Sequence, residues 1–473
     1  MGTMIKNSRL VLNLSFGTIV MPKFDKASHK SVGFTERINR ARPSIVLICS
    51  FVFVISLILA SPVTPYQPET FGGALLIFSC VVSMLVGFEF GGITSSISQT
   101  RHTSPAILKI SYRICFSLGA LGVAARLADW IIFRNIDLGS TTLEIREALA
   151  VGGGGVLAIA AAGLLPFTYA PIALWLSSRA FGPRMVGSYH AIWLAMLGPA
   201  IMAITGSRSA ILSLSLYSFF AIFLTIKRIT ILFISISFLA IIFLALAFFY
   251  IFGNRAQDFG MDLREVARYS VYTHLVPLDD WYIEAIDSND GDVRAVPFLL
   301  AHLLQYTISG LIEFFYLYDH YTGDFTFGTY NFMVPWQLLT RAIGIDFAIT
   351  GIFAGVPRVG TFSTFYGPAY VDFGWLSPLF CFAFALLIAW TRKSVLGGNI
   401  LAFPLYLTFL WQLALAPIVN GILLNASVTH NIAFLALCLV GHFSRRPHNV
   451  LGSPALRTPH LRQYRKHHSR GLT

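Results

Sequence analysis

The sequence predicts an all-α polytopic membrane protein with about ten transmembrane helices, both termini cytoplasmic and one large outer loop. Three observations predict it. The chain is 55% hydrophobic and only 12% charged, with a mean hydropathy of +0.69. Soluble domains run near ~25% charged, and no water-soluble core hides this much apolar surface. The apolar runs are continuous rather than alternating, which implies helices and not barrel strands. The basic residues gather at the two ends and in short loops, the pattern that keeps positive charge inside. A chain of 473 residues has room for about ten spans of roughly 20 residues and one sizeable extramembrane region. The net charge of +12 therefore reports topology rather than nucleic-acid binding, and no nucleic-acid partner is expected.

Residues 1–42 carry Lys6, Arg9, Lys23, Lys26, Lys30, Arg37, Arg40 and Arg42 against Asp25 and Glu36, and form a basic cytoplasmic N-terminal segment. The first long apolar run begins only after it, so no cleavable signal peptide is expected. Transmembrane helices 1–7 fall within 43–252. The first span, about 44–60, leads to a Pro-rich link, 61–70, that has no basic residue and belongs outside. The second, about 71–91, returns to Arg101, Lys109 and Arg113; the third, about 114–133, leaves again with Arg126 and Asp129 near its outer end. Residues 134–150 then make a short outer loop with a surface helix.

The fourth span, about 151–176, opens on four glycines, 152–155. A phosphate loop would need a Lys-Ser/Thr after them, and none follows, so close helix packing through small residues is the reading retained. Arg179 and Arg184 mark an inner loop. The fifth span (about 186–204) and the sixth (about 210–226) meet outside at Gly206-Ser-Arg-Ser209, and Lys227-Arg228 turns inside before the seventh (about 229–252). Helices 8–10, within 372–443, are about 375–390, 400–418 and 428–442, with Arg392-Lys393 inside. The basic tail, 444–473, is cytoplasmic. All five cysteines (Cys49, Cys80, Cys115, Cys381, Cys438) lie in apolar runs, so no structural disulfide is expected.

The outer loop, 253–371, holds 13 of the 22 carboxylates, six arginines and no lysine. Within it, 297–318 is nearly long enough to span, but His302, Gln305 and Glu313 at mid-membrane would cost a few kcal/mol each. Amphipathic helices lying at the outer interface are the preferred reading, and an extra hairpin formed with 330–354 is the alternative.

The candidate functional residues cluster on the outer side. Arg208, flanked by Ser207 and Ser209, offers a permanently charged fork of donors suited to phosphate oxygens; the plainer reading is an arginine that snorkels to the interface. Arg358 precedes Ser363, Thr364, Tyr366, Tyr370 and Asp372. Aromatic faces among small hydroxyls suit the C–H surfaces of sugars, and an ordinary interfacial aromatic belt explains the tyrosines as well. Asp372 stands open between a catalytic carboxylate and a helix cap. Asp319, His320 and Asp324 could take a proton from a sugar hydroxyl, or belong to a solvated loop. His302, Glu313 and His274 are weaker bases. No metal is expected: 287–292 resembles a calcium loop slightly, but position 298 is Phe where the distal Glu belongs.

Three features together resemble the bacterial O-antigen polymerases, or oligosaccharide repeat unit polymerases: the Gly206-Ser-Arg-Ser209 tip, the large outer loop, and Arg358 followed by Tyr370-Val-Asp-Phe-Gly374 entering the next span. The resemblance in architecture covers about 43–443; the motifs are two short patches. It implies a glycosyltransferase-C-like all-helical fold in the bacterial inner membrane, with the large loop periplasmic. It further implies transfer of a growing glycan from an undecaprenyl-diphosphate carrier to a new lipid-linked repeat unit, without metal, nucleotide sugar or other cofactor. Arg208 and Arg358 would meet the diphosphate or the acceptor, and a chain-length regulator and a flippase would be pathway partners. Two arginines stabilise a diphosphate leaving group electrostatically. An O-antigen ligase is the nearest alternative, kept open by His320. A lipid-linked oligosaccharide transporter is the other; it would place charges at mid-membrane and show repeated halves, neither of which the spans do.

Overall fold

The computed structural model describes residues 34–68, 71–93, 103–140, 142–151, 155–181, 189–205, 207–231, 233–235, 237, 239, 270–288, 295–343, 351, 353, 355–359, 363–422 and 427–444. Regular structure among them is helical. Among the described residues the one β pairing is an isolated antiparallel bridge, Val63 to Leu278. In chain order the helices are α1 (Phe34–Asn39), α2 (Pro43–Ala60), α3 (Gly72–Ile93), α4 (Pro105–Ala128), α5 (Thr142–Val151), α6 (Val156–Leu164), α7 (Ala170–Phe181), α8 (Tyr189–Ile204), α9 (Arg208–Thr225), α10 (Asp280–Ser288), α11 (Ala295–His320), α12 (Met333–Ala342), α13 (Tyr366–Phe373), α14 (Ser377–Leu396), α15 (Phe403–Leu415) and α16 (Ser427–Phe443).

Among the described residues six helical stretches are long and apolar enough to cross a membrane: Glu36–Ala60, Gly72–Gly92, Pro105–Phe133, Val156–Phe181, Pro297–His320 and Tyr366–Leu396. Four shorter apolar helices, Tyr189–Ile204, Ser209–Thr225, Ile400–Leu415 and Ser427–Phe443, complete the set. The protein is thus an all-α membrane protein. The expected seventh span, 229–252, lies largely outside the described residues.

The bundle is organised around α15. Every residue of it except Ala414 is buried, as a helix apolar on all sides must be. Helices α2, α7, α9, α14 and α16 pack on it, and Ser50 Oγ donates to the Ala414 carbonyl at 2.6 Å. Small residues set the closest helix pair. A Cβ on Gly87 would stand 2.8 Å from Ala385 Cβ, and one on Gly91 would stand 2.6 Å from Ala389 Cβ, so α3 and α14 meet backbone to backbone. Gly119 and Gly122 bring α4 equally close to the backbone of 164–168. The four-glycine run plays no such part where it is described: Gly155 has nothing within 4 Å of its Cβ direction, because it caps α6 at an open end; 152–154 lie outside the described residues. The fourth span is also not one helix. Pro166 and Pro171 lack an N–H, so α6 gives way to a 3₁₀ turn, Leu165–Thr168, before α7.

The two ends of the bundle differ in chemistry. At one end Arg37 donates to the carbonyls of Thr225 (3.2 Å) and Ala180 (3.5 Å), and Arg40 to those of Ile226 (3.1 Å) and Lys227 (2.9 Å). These are the open carbonyls at the C-termini of α7 and α9, where positive charge is favoured. The same end holds Arg392 against Asn39 and Thr103 against the Gly398 carbonyl. At the other end the link after α2 pairs with residues that precede α10: Tyr66 N donates to Leu275 O (2.8 Å), Thr64 N to Pro277 O (3.1 Å) and Asp279 N to Pro62 O (3.1 Å).

Helix α11 belongs to that second end over its full length, about 39 Å at 1.5 Å per residue. Its Gln305 side chain donates to the Val276 carbonyl at 2.8 Å. A Cβ on Gly310 would stand 1.7 Å from the Ile418 carbonyl oxygen, and Tyr318 lies against Gly72, the first residue of α3. His302, Gln305 and Glu313, costly in lipid, are buried inside the protein instead.

Candidate active site at the acidic end

The last two turns of α11 assemble the chemistry. Helical spacing puts Glu313, Tyr316 and His320 on one face. The loop 355–359 brings Arg358 to it. Its Nη2 lies 3.3 Å from Glu313 Oε1 and donates to the Val271 carbonyl at 2.6 Å, while Nη1 is 3.1 Å from His274 Nδ1. The guanidinium carbon stands 5.9 Å from the centre of the Tyr316 ring. Glu313 is buried, so the ion pair is formed away from bulk water and fixes the arginine rather than decorating the surface.

On the same Tyr316 ring lies His320, stacked at 4.1 Å between centroids. Its Nδ1 is 3.0 Å from the Tyr316 carbonyl oxygen. A carbonyl oxygen only accepts, so Nδ1 carries the proton and the neutral ring holds its lone pair on Nε2. His320 is exposed. That arrangement leaves Nε2 able to accept a proton. Tyr66, from the link after α2, packs edge-on to Tyr316 at 5.6 Å and donates its hydroxyl to Asp319 Oδ2 at 3.0 Å.

A second aromatic group sits beside this one. Tyr370 lies 5.2 Å from Tyr318, 5.9 Å from Tyr321 and 6.3 Å from Phe325, and Tyr318 lies 5.9 Å from Trp375. Trp375 is 55% exposed, so the group offers ring faces at the surface. Burial, then the neighbouring Asp324 and Asp372, pushes the Tyr321 hydroxyl up to about 12. It is a neutral donor, and it donates to the Asp324 carbonyl at 2.7 Å.

The expected residues thus separate. Arg358, Asp319, His320, Glu313 and His274 come together, and Tyr370 stands next to them. Tyr366 does not belong: it is 1% exposed, its hydroxyl faces Met84 Sδ at 3.9 Å, and it packs on Phe51 and Phe365 as core. Asp372 is neither an accessible base nor the cap of its own helix. It is fully buried, and its carboxylate accepts from Thr326 Oγ1 (2.5 Å), Tyr330 N (2.9 Å), Asn331 N (3.0 Å) and Asn331 Nδ2 (2.7 Å). Those donors tie the loop ahead of α12 to α13. Asn331 continues the chain to Asn420 at 2.9 Å. Gly374, at φ +55 with the Phe325 ring 2.3 Å from where a Cβ would sit, lets α13 turn into α14. Asp324 is exposed at the loop tip. His302 is buried beside Tyr272 and Phe298, away from the exposed face.

Arg208 heads α9, and its side chain lies outside the described residues; Ser207 Oγ and Ser209 Oγ are 3.3 Å apart. The neighbouring Ile204 packs on the small core of Trp130, Ile136, Ile145 and Ile201, whereas Tyr316 packs on that of Val63, Leu275, Val276 and Leu278. The two arginine tips share an end but stand against different cores. Tyr66 is a functional candidate the sequence does not single out, since it lies in no motif and comes beside Tyr316 where 62–66 pair with 275–279. Among the described residues no group of three or more His, Cys, Asp or Glu is placed to hold a metal ion. The chain matches no family model, no curated protein and no solved structure.

Proposed function

We propose that the protein is a membrane glycosyltransferase that polymerises undecaprenyl-diphosphate-linked oligosaccharide repeat units into a long surface polysaccharide at the outer face of the bacterial inner membrane. One observation carries the reading: an arginine anchored by a buried carboxylate shares its tyrosine neighbour with a histidine whose Nδ1 proton is fixed. Chemically, the acceptor hydroxyl oxygen forms the new bond to the anomeric carbon as the bond to the carrier's diphosphate breaks. The diphosphate leaves with the electron pair, its charge met by Arg358, with Arg208 as the second cation of the same end. The hydroxyl proton goes to His320 Nε2. The Tyr318, Tyr370 and Trp375 rings offer faces for the incoming sugars.

The exposed, oriented His320 favours a second reading, an O-antigen ligase that uses the same lipid-linked donor with a different acceptor. The two are separated by the surface glycans of cells lacking the protein, complemented with wild type, Arg358→Ala, Arg208→Ala or His320→Gln. Polymerase action predicts single repeat units only in the null and in Arg358→Ala, with the rate of chain growth down by about 10²-fold or more in His320→Gln. Long lipid-linked chains that never reach their acceptor would replace the polymerase by the ligase. Single lipid-linked units retained on the inner leaflet would overturn both in favour of a transporter.

A further inference from the structure

The basic end of the bundle holds a cavity of about 260 Å³ between the first turn of α2 and the last turns of α3 and α14. Its charged lining is Arg42, Arg392 and Glu89, two guanidiniums against one carboxylate. Arg42 is exposed, and among the described residues neither arginine pairs with Glu89. Arg392 uses Nη2 on Asn39, and its buried Nε meets no acceptor. Ser44 adds a hydroxyl beside the first turn of α2, whose N-cap Arg42 is extended and makes no side-chain cap. Gly92, on the α3 wall, has open space beside it. On the helical turns that carry the lining residues, Ile45 and Ile48 of α2 and Phe90 of α3 are apolar and about half exposed, as befits helices that meet lipid.

We infer that this cavity binds a phosphate group, namely the phosphodiester of an anionic phospholipid headgroup, at the interface where the basic N-terminal segment enters the bundle. Arginine forks match phosphate oxygens in geometry, and two of them outweigh Glu89. The exposed apolar residues on those same turns give the acyl chains a surface to lie on, which a free anion would not need.

The test uses the full-length protein in maltoside micelles, with the thermal unfolding midpoint followed on adding palmitoyl-oleoyl phosphatidylglycerol, palmitoyl-oleoyl phosphatidylcholine or inorganic phosphate. Phosphatidylglycerol is expected to raise the wild-type midpoint more than phosphatidylcholine does. Arg42→Gln and Arg392→Gln each weaken the apparent affinity by about 10-fold, and Glu89→Gln strengthens it. A shift of equal size with inorganic phosphate, again lost in Arg42→Gln, keeps the phosphate site and assigns its occupant to solution. Equal shifts by phosphatidylglycerol in wild type and Arg42→Gln overturn the site, as does equal action of the two lipids on wild type. Should Arg392→Gln fail to fold through its contact with Asn39, Arg42→Gln decides the matter alone.

Discussion

Four donors converge on Asp372, and all would lose their acceptor if the carboxylate were removed, the two from Asn331 in a fully buried place. Asp372→Ala is therefore expected to cost about 2–4 kcal/mol, while Asp372→Asn, which keeps one acceptor oxygen, costs less. Thermal unfolding of the two variants in detergent checks this ordering, and equal losses would remove the anchoring role. The sequence marks Asp372 as a carboxylate at the head of a span, but its partners lie 41 to 46 residues upstream. A single sequence gives no hint of that distance, so cap and catalyst look alike in it. Tyr366 and Tyr370 are equally alike on paper; the turn at 363–365, pinned by Thr364 N to Gly310 O and Phe365 N to Ala416 O, sends one inward and leaves the other half-exposed. Arg358 and His320 are singled out by the sequence as polar residues of the outer loop, and the structure sets both against the Tyr316 ring.

At the scale of elements, helix packing here depends on which glycines face a neighbour. Gly91→Ala sets a methyl 2.6 Å from Ala389 Cβ and is expected to destabilise by about 1–3 kcal/mol as α3 and α14 are forced apart. Gly163→Ala, in α6 with nothing within 4 Å, is expected to be neutral or to stabilise by up to ~1 kcal/mol through helix propensity. Comparing unfolding midpoints of the pair separates packing from propensity, and equal effects would deny the close contact. Helix positions were readable from apolar runs: α14, α15 and α16 lie within a few residues of the expected spans. The break in the fourth span, expected as one run over about 151–176, falls where Pro166 and Pro171 stand. What the runs could not tell is the course of α11, whose composition permits crossing while its contacts run along one end.

For the whole molecule, the grouping of contacts into a basic end and an acidic end predicts sidedness. A single cysteine at Thr64 or Asp279, joined by a 2.8 Å hydrogen bond in the structure, is expected to react with a membrane-impermeant maleimide in intact cells, on a background from which the five native cysteines have been removed. A cysteine at Lys393 is expected to react only after lysis. Labelling of Lys393→Cys in intact cells would reverse the orientation, and labelling of both ends alike would remove it. This orientation rests on the distribution of Lys and Arg, which sequence reports directly. The joining of 61–66 to 275–279 does not appear in any local pattern, because it links segments more than 200 residues apart.

That joining also sets an order of events during synthesis. Val63 is made early with the first pair of helices, but Leu278, its partner in the bridge, emerges only after 215 further residues. At ~5–20 residues per second the wait is roughly 10 to 40 s. Through that interval the link after α2 has no partner for its backbone groups, and the contact of Tyr66 with Tyr316 cannot form. Arg37 and Arg40 face a similar delay on the other side, since the carbonyls of 225–227 must first be delivered. The bundle is therefore closed at both ends by early-made segments, which wait, one at each end, for the middle of the chain to arrive.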